Sequence, residues 1–160
     1  MPLKMTLKPG ERIIVNGAVL ENGGHEAHLV FLNDAAFMRE KDILTEVDAL
    51  TPASRVYFAL QCVYIFPERR DHYKAILADL LSDYVQAAPS ALELIDRIQK
   101  LVEQGEYYQA LKAVRLLIAH EKERLEHVST TTESVSDTAA SGQSGANSGM
   151  GIDPSGEASG

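Results

Sequence analysis

The sequence LKMTLKPGERIIVNGAV, residues 3–19, decides how the chain begins to fold. Apolar and polar residues alternate strictly from Leu3 to Lys8, which is typical of a strand with one buried face and one exposed face. The polar positions of this strand are Lys4, Thr6 and Lys8. We therefore expect the chain to begin with a small antiparallel sheet that presents these three side chains to solvent.

Two turn signals divide the rest of this stretch. Pro9-Gly10 predicts a turn, because proline cannot donate a ladder hydrogen bond and glycine accepts unusual backbone angles. A second apolar run, Ile13 to Val15, then leads into Asn16-Gly17. This dipeptide is the preferred filler of a two-residue type I′ hairpin, since both positions need positive φ. The pattern predicts a strand that turns directly back on itself.

Further strand signals continue to about residue 45. Asn22-Gly23-Gly24 predicts a turn, and His25 to Leu32 predicts another strand. Ala35 to Arg39 and Asp42 to Leu44 add one or two short strand candidates. About five strands at such close spacing favour a meander or a small barrel.

From Thr51 onward the pattern becomes helical. Thr51-Pro52 predicts a helix start, with threonine at the N-cap and proline at the first helical position. Ser90 and Glu93 have the spacing of a capping box, and Gly105 is suited to ending a helix. Apolar periodicity predicts four helices, which cover 53–66, Glu68 to about Val85, Ser90 to Gly105, and about Glu106 to His127. Four amphipathic segments with short connections predict a helical bundle.

The fold class that follows is α+β, with a β-rich unit in residues 1–48 and a helical unit in residues 49–127. Residues 128–160 are dominated by serine, threonine and glycine and contain few large apolar side chains. Such a segment cannot bury enough surface to offset the entropy of ordering it. We therefore predict a disordered tail over residues 128–160.

Charge and composition exclude several classes of protein. The formal net charge is −8, and the four acids and absent bases of residues 128–160 leave −4 for the remainder. Domains that bind nucleic acid by bulk charge are usually basic, so a polyanion would need a local basic patch. The single cysteine excludes an intrachain disulfide. Without a leader or an apolar run near ~18 residues, we expect a cytoplasmic protein with no membrane partner.

Residue types that carry catalysis are sparse. His25 and His28 would point to opposite faces of a strand, which makes them a poor chelating pair even with Glu21 and Glu26 nearby. Cys62 lies in an apolar helix and is best interpreted as a buried hydrophobe. Neither a phosphate-binding loop nor a dinucleotide fingerprint is present. We expect neither an enzyme nor a metal or cofactor site.

The basic residues of the β-rich unit form the one candidate binding surface. If the sheet folds back on itself, its two ends converge and could contact phosphates and bases of single-stranded RNA. The alternative is that lysines on an exposed edge strand protect the sheet against aggregation. The candidate RNA-contacting residues are Lys4, Thr6, Lys8, Arg12, Arg39 and Lys41.

Two arginines of the helical unit are unusual in their placement. Arg69 and Arg70 lie near a predicted helix N-terminus, where a cation opposes the helix dipole by ~0.3–1 kcal/mol. They mark a partner-facing surface or occur there by chance, and the sequence leaves both interpretations open.

The residues themselves resemble a known family, the flagellar-biosynthesis repressor FlbT. The resemblance is an ordered series over roughly residues 1–125. It consists of Leu7 to Val19, Glu21-Asn22-Gly23, Met38 to Leu44, Thr51-Pro52-Ala53, Arg55 and Tyr57-Phe58-Ala59. It implies post-transcriptional control of flagellin synthesis, through binding to the 5′ untranslated region of flagellin mRNA and destabilisation of the message. The implied protein partners are the companion regulator FlaF and flagellin. The resemblance carries over no RNA-contacting residues.

A fainter likeness is to the small carbon-storage-regulator proteins. Gly10-Glu11 before an apolar strand, and Arg39 to Ile43 after a later one, are similar to that family. Its members are strand-swapped dimers that bind mRNA leaders through their first strand and a later basic residue. The likeness thus implies a homodimer and assigns these roles to Lys4, Thr6, Lys8 and Arg39. Pro9 and the long helical half depart from the pattern.

Two hypotheses follow. In the first, a non-enzymatic repressor binds the flagellin leader RNA through the β-rich unit, promotes its degradation, and recruits a protein through the helical unit. In the second, a chaperone-like interaction module binds FlaF or flagellin and acts on the mRNA indirectly. Acidity favours the second hypothesis, and the family resemblance favours the first.

Overall fold

A computed structural model describes residues 2–138, except for the side chains of residues 132–138. The chain divides into a compact unit that ends at Arg124 and a second unit that begins at Leu125. The strands are β1 (Leu3–Leu7), β2 (Arg12–Val15), β3 (Ala18–Glu21), β4 (Ala27–Phe31) and β5 (Phe37–Arg39). The helices are α1 (Pro52–Ile65), α2 (Arg70–Ala87), α3 (Leu92–Glu103) and α4 (Tyr107–Thr138). This confirms the α+β class.

The five strands form two small antiparallel sheets. β1 pairs with β4, whereas β2 lies between β3 and β5. The three-stranded sheet is covered on both faces. Ile13 packs with Met5 and Leu7 of β1, while Ile14 and Met38 pack on the helices. The β-rich and helical parts therefore share one compact unit.

The predicted type I′ hairpin is confirmed. Asn16 and Gly17 both have positive φ, 49° and 85°, and Val15 pairs with Ala18 across the turn. Because this backbone twist matches that of the flanking strands, the two-residue loop fixes the β2–β3 register.

The predicted meander or barrel is wrong, because β1 pairs with β4 rather than with β2. Asn22 accounts for this order. Its side-chain amide donates to the carbonyls of Leu7 and His25, both at 2.8 Å, and its backbone carbonyl accepts from Gly10 at 2.7 Å. These bonds hold the ends of β1 and β4 together while the β2–β3 hairpin projects from between them.

The strand predicted over Asp42 to Leu44 does not form. Leu44 instead hydrogen-bonds the side chain of Gln61, which accepts from its N–H at 2.8 Å and donates to its C=O at 2.9 Å. Gln61 is buried, and its amide takes the place of a neighbouring strand. This pairing could not be read from local sequence.

Three helices build the core of the first unit together with the first part of α4. Thr51 caps α1 as predicted, with Ser54 as the reciprocal partner. Gly105 ends α3 with φ of 78°, and the N–H of Glu106 donates to the carbonyl of Leu101 at 2.9 Å. The predicted capping box at Ser90 is absent, because Pro89–Ala91 form a 3₁₀ turn and α3 begins at Leu92.

The last helix is longer than predicted. It continues past His127 to Thr138. The hydroxyls of Ser129, Thr130 and Thr131 donate to carbonyls three or four residues earlier, so these side chains bond within their own helix. The rest of the predicted tail, residues 139–160, lies outside the described residues. Among the described helices, none is both long and apolar enough to cross a membrane.

Candidate nucleic-acid interface

The outer face of the β1–β4 sheet carries the polar row predicted from the sequence. Met5 and Leu7 are buried beneath the sheet, so Lys4 and Thr6 face outward. The register places Thr6 opposite His28 on β4, and Thr6 Oγ1 lies 3.1 Å from His28 Nδ1. The sheet thus presents an ammonium, a hydroxyl and an imidazole side by side.

Arg39 approaches this row from the other sheet. It lies on β5 opposite Ile13, and its guanidinium Nη2 donates to the carbonyl of Thr6 at 3.3 Å. The convergence of the two ends of the β-rich region is therefore observed for Lys4, Thr6 and Arg39. They line a depression of about 420 Å³ together with Met5, His28, Leu29 and Val30.

A carboxylate limits the positive charge of this depression. Glu11 Oε1 accepts from Arg39 Nη1 at 2.9 Å, and Glu11 Oε2 accepts from the N–H of Lys8 at 2.9 Å. The Lys8 N–H and, after it, the Arg39 charge lower the pKa of Glu11 below its usual value. Glu11 is therefore ionised at neutral pH and neutralises Arg39.

The remaining candidates, Lys8, Arg12 and Lys41, do not line this depression. Arg12 pairs with Glu21 at 2.7 Å and with Glu40 at 3.6 Å, and its hydrogen bond to Glu21 raises the pKa of Arg12. Lys41 lines a different depression of about 320 Å³. Lys8 is exposed just beyond the end of β1. The structure does not bring Lys8, Arg12 or Lys41 into the group.

Sequence reasoning missed two members of this site. His28 joins it only because β1 pairs with β4, which no local signal indicated. Glu11 enters through its contact with Arg39, 28 residues away along the chain. The alternation around His28 in β4 was the one available signal, because it predicted an outward-facing side chain once the strand was placed.

The chemistry of this arrangement suits binding. An ammonium and a guanidinium can contact phosphate oxygens, and a hydroxyl and an imidazole can hydrogen-bond base edges. Elsewhere, burial raises the pKa of Cys62 to about 11, so its thiol stays protonated and unreactive. Among the described residues, no group of three or more His, Cys, Asp or Glu side chains could hold a metal ion.

A second surface is apolar. A groove of about 670 Å³ runs between α1, α2 and the loop before α1. Val47 and Leu50 on this loop are 80% and 76% exposed and adjoin the apolar lining of the groove. The groove is lined by Glu46, Val47, Ala49, Leu50, Arg55, Phe58, Ala59, Tyr73, Ile76 and Leu80.

Comparison with known proteins identifies relatives of the chain. The family model described as "Flagellar protein FlbT" matches residues 3–125. The flagellum biosynthesis repressor protein FlbT of Caulobacter vibrioides is 39% identical over 132 residues, which cover 81% of this chain and 94% of the relative. A probable flagellum biosynthesis repressor protein FlbT 1 of Bradyrhizobium diazoefficiens is 41% identical over 123 residues, covering 76% of this chain and 84% of the relative.

No solved structure gives a significant match to the chain. The alignment with the Caulobacter vibrioides protein covers 94% of that protein. The residues matched by the family model include all five strands and all of α1, α2 and α3. The chain belongs to the FlbT family of flagellar proteins.

Proposed function

We propose that this protein is a non-enzymatic, cytoplasmic repressor in flagellum biosynthesis that binds the 5′ untranslated region of flagellin mRNA and promotes degradation of the message. The names of its relatives support the repressor role, since one is named a flagellum biosynthesis repressor protein and another a probable one. The β1–β4 surface supports RNA binding, and the family resemblance supports degradation of the message.

The observation that carries RNA binding is the convergence of Lys4, Thr6, His28 and Arg39 around one open depression. Lys4 is exposed and could contact a phosphate, while the Thr6–His28 pair offers hydrogen bonds to a base. Because Glu11 neutralises Arg39, few full positive charges face the RNA. We therefore expect modest affinity with a shallow salt dependence.

Replacing Lys4 on β1 and Lys8 just beyond its end tests this surface. Lys4→Gln combined with Lys8→Gln should lower affinity for a flagellin leader RNA about tenfold at physiological salt, and flatten the slope of log K against log salt by about 1.4. The matched control is Lys100→Gln with Lys122→Gln, which removes the same charge elsewhere. An equal loss of RNA affinity in both double variants would show that binding depends on the net charge of the protein and not on this site.

Glu11 gives a test in the opposite direction. Glu11→Gln frees the guanidinium of Arg39 and removes a carboxylate that repels phosphate, so leader affinity should rise. The salt slope should steepen by about 0.7 for one added phosphate contact. Unchanged affinity in filter binding would remove Arg39 from the proposed surface.

The alternative function is a protein-interaction or chaperone-like module that binds FlaF or flagellin and acts on the mRNA indirectly. The apolar groove favours it, because Val47 and Leu50 are exposed beside the ring of Phe58. Val47→Ser with Leu50→Ser should then abolish capture of FlaF or flagellin, with Leu92→Ser and Leu116→Ser as the exposed apolar control. Capture by the groove without any leader binding would favour the alternative.

A further inference from the structure

Three cations of the helical part lie over tyrosine rings. The guanidinium of Arg70 is 4.8 Å from the centre of the Tyr107 ring, and the ammonium of Lys74 is 5.5 Å from the same ring. The ammonium of Lys112 is 5.0 Å from the centre of the Tyr108 ring. These five residues lie in the first two turns of α2 and α4 and are called the cation–tyrosine surface below.

These cations differ from the arginines of the β-rich part in how they are held. Arg12 and Arg39 each pair with a carboxylate, which neutralises their charge and occupies their donors. Among the described residues, no carboxylate lies within ion-pair distance of Arg70, Lys74 or Lys112. A ring face attracts a cation without accepting its N–H groups, so the charge and most donors stay available.

The donors of Arg70 illustrate this point. Its Nε donates to the carbonyl of Val63 at 3.1 Å, which orients the guanidinium and leaves both terminal nitrogens for a ligand. The acids nearest in sequence, Glu68, Asp71 and Glu106, are exposed and form no ion pair with these cations. The cations are therefore pre-positioned but not neutralised.

Tyr108 is exposed and has an aromatic neighbour, and a second pair of rings lies at the start of α2. Tyr108 is 43% exposed, and its ring centre lies 6.4 Å from that of Tyr64. Tyr64 in turn hydrogen-bonds the backbone of Phe37 on β5, so the rings adjoin the three-stranded sheet. Phe66 is 40% exposed and lies beside Tyr73, with ring centres 6.3 Å apart. Exposed rings beside unpaired cations are the composition of surfaces that bind single strands.

We propose that the cation–tyrosine surface is a second contact site for single-stranded RNA. Arg70, Lys74 and Lys112 bind phosphates, and the exposed part of the Tyr108 ring stacks on a base. The proposal rests on the proposed function in taking mRNA as the ligand, but it places the stronger phosphate contacts on the helical part. It also explains why a cation such as Arg70 stands at a helix N-terminus, where the helix dipole disfavours it.

The test uses the full chain and a fluorescent oligouridine RNA of about 12 nucleotides, a length that such sites accommodate. Arg70→Gln, Lys74→Gln and Lys112→Gln together should reduce the magnitude of the slope of log K against log salt by about 2, and reduce affinity more than tenfold. The matched control is Arg97→Gln, Lys100→Gln and Lys122→Gln, which removes three charges from other helical positions. Circular dichroism and thermal unfolding establish that both triple variants fold.

A second variant separates stacking from charge. Tyr108→Leu should weaken binding about fivefold or more while the salt slope changes by less than one contact, ~0.7. Tyr108→Phe keeps the ring and should bind like the parent chain. Loss of binding in both Tyr108 variants would overturn the stacking role.

The outcomes also separate this inference from the proposed function. If the parent chain binds RNA, the Lys4/Lys8 variant loses binding, and the helical triple variant matches its control, the cation–tyrosine surface is not an RNA site although the protein binds RNA. If the parent chain does not bind RNA at all, both proposals fail. Tighter binding of a glutamate-rich peptide than of RNA would assign the surface to an acidic protein partner instead.

Discussion

Two glycines with left-handed backbone stand in different surroundings. Gly10 has φ of 74°, and a Cβ added there would meet nothing within 4 Å. Gly17 has φ of 85°, and the same Cβ would lie 3.1 Å from the Phe66 ring. Replacing each glycine by alanine therefore separates the cost of left-handed backbone strain from the cost of a steric contact with Phe66.

We expect Gly10→Ala to lower the free energy of unfolding by about 1–2 kcal/mol, the strain of a left-handed alanine. Gly17→Ala should lower it further, because the Phe66 ring must shift as well. Urea denaturation of both variants measures the difference. Equal losses would mean that Phe66 does not hold the β2–β3 turn.

The carboxylate of Glu11 gives the fold a dependence on pH. Its pKa is lowered in the folded state by the Lys8 N–H and Arg39. A group with a depressed folded pKa contributes stability above its unfolded pKa, near 4.3, and loses it as the pH falls through the folded pKa. The thermal midpoint of the parent chain should therefore exceed that of Glu11→Gln at pH 7, and the gap should close below about pH 4.

Glu26→Gln, an exposed position before β4, is the control for this titration. Its midpoint should follow the parent chain over the whole range. A gap between Glu11→Gln and the parent that stays constant from pH 7 to pH 3 would contradict the role assigned to the Glu11 charge.

At the scale of elements, the N-terminus of α1 is stabilised by two independent devices. The Thr51 hydroxyl accepts from the N–H of Ser54 at 3.2 Å, and the Ser54 hydroxyl accepts from the N–H of Thr51 at 2.8 Å. The buried carboxylate of Glu121, from α4, accepts from the N–H of Ala53 at 3.1 Å. One device is local in sequence and the other is not.

Thr51→Ala should destabilise the fold by about 1 kcal/mol, the usual loss for a threonine cap. Glu121→Gln removes a carboxylate that interacts with a helix N-terminus and should lower stability by up to about 2 kcal/mol. Both losses are measured as shifts of the urea midpoint relative to the parent chain, with the m-value unchanged. If Glu121→Gln left the free energy of unfolding unchanged, the charge at this buried position would contribute nothing to stability.

The same contrast explains which elements the sequence predicts. Thr51-Pro52, Asn16-Gly17 and Gly105 act within a few residues, so their turns and helix ends could be predicted. Ser90 lies in the Pro89–Ala91 3₁₀ turn instead of capping α3, and its hydroxyl lies 3.0 Å from His120 Nε2, a tertiary partner. The side chain of Gln61 likewise bonds the backbone of Leu44, 17 residues away along the chain, in place of a neighbouring strand. Tertiary hydrogen bonds override local signals at both places.

At the scale of the whole molecule, strand order decided the candidate site. The sequence predicted an outward Lys4-Thr6-Lys8 row, which meets Arg39 only if the sheet folds back on itself. Pairing of β1 with β4 added His28, and the contact with Glu11 removed the free charge of Arg39. Which charges remain unpaired depends on the folded arrangement, so the cation–tyrosine surface could not be predicted from charge runs.

An acidic chain that binds RNA must do so through unpaired local cations. The most direct test is a titration of the purified full chain with a flagellin 5′ leader RNA at several salt concentrations. Direct contact predicts saturable binding with log K falling linearly in log salt, by ~0.7 for each phosphate contacted. Absence of salt-sensitive binding to the leader, from protein that still captures FlaF, would contradict RNA recognition by this protein.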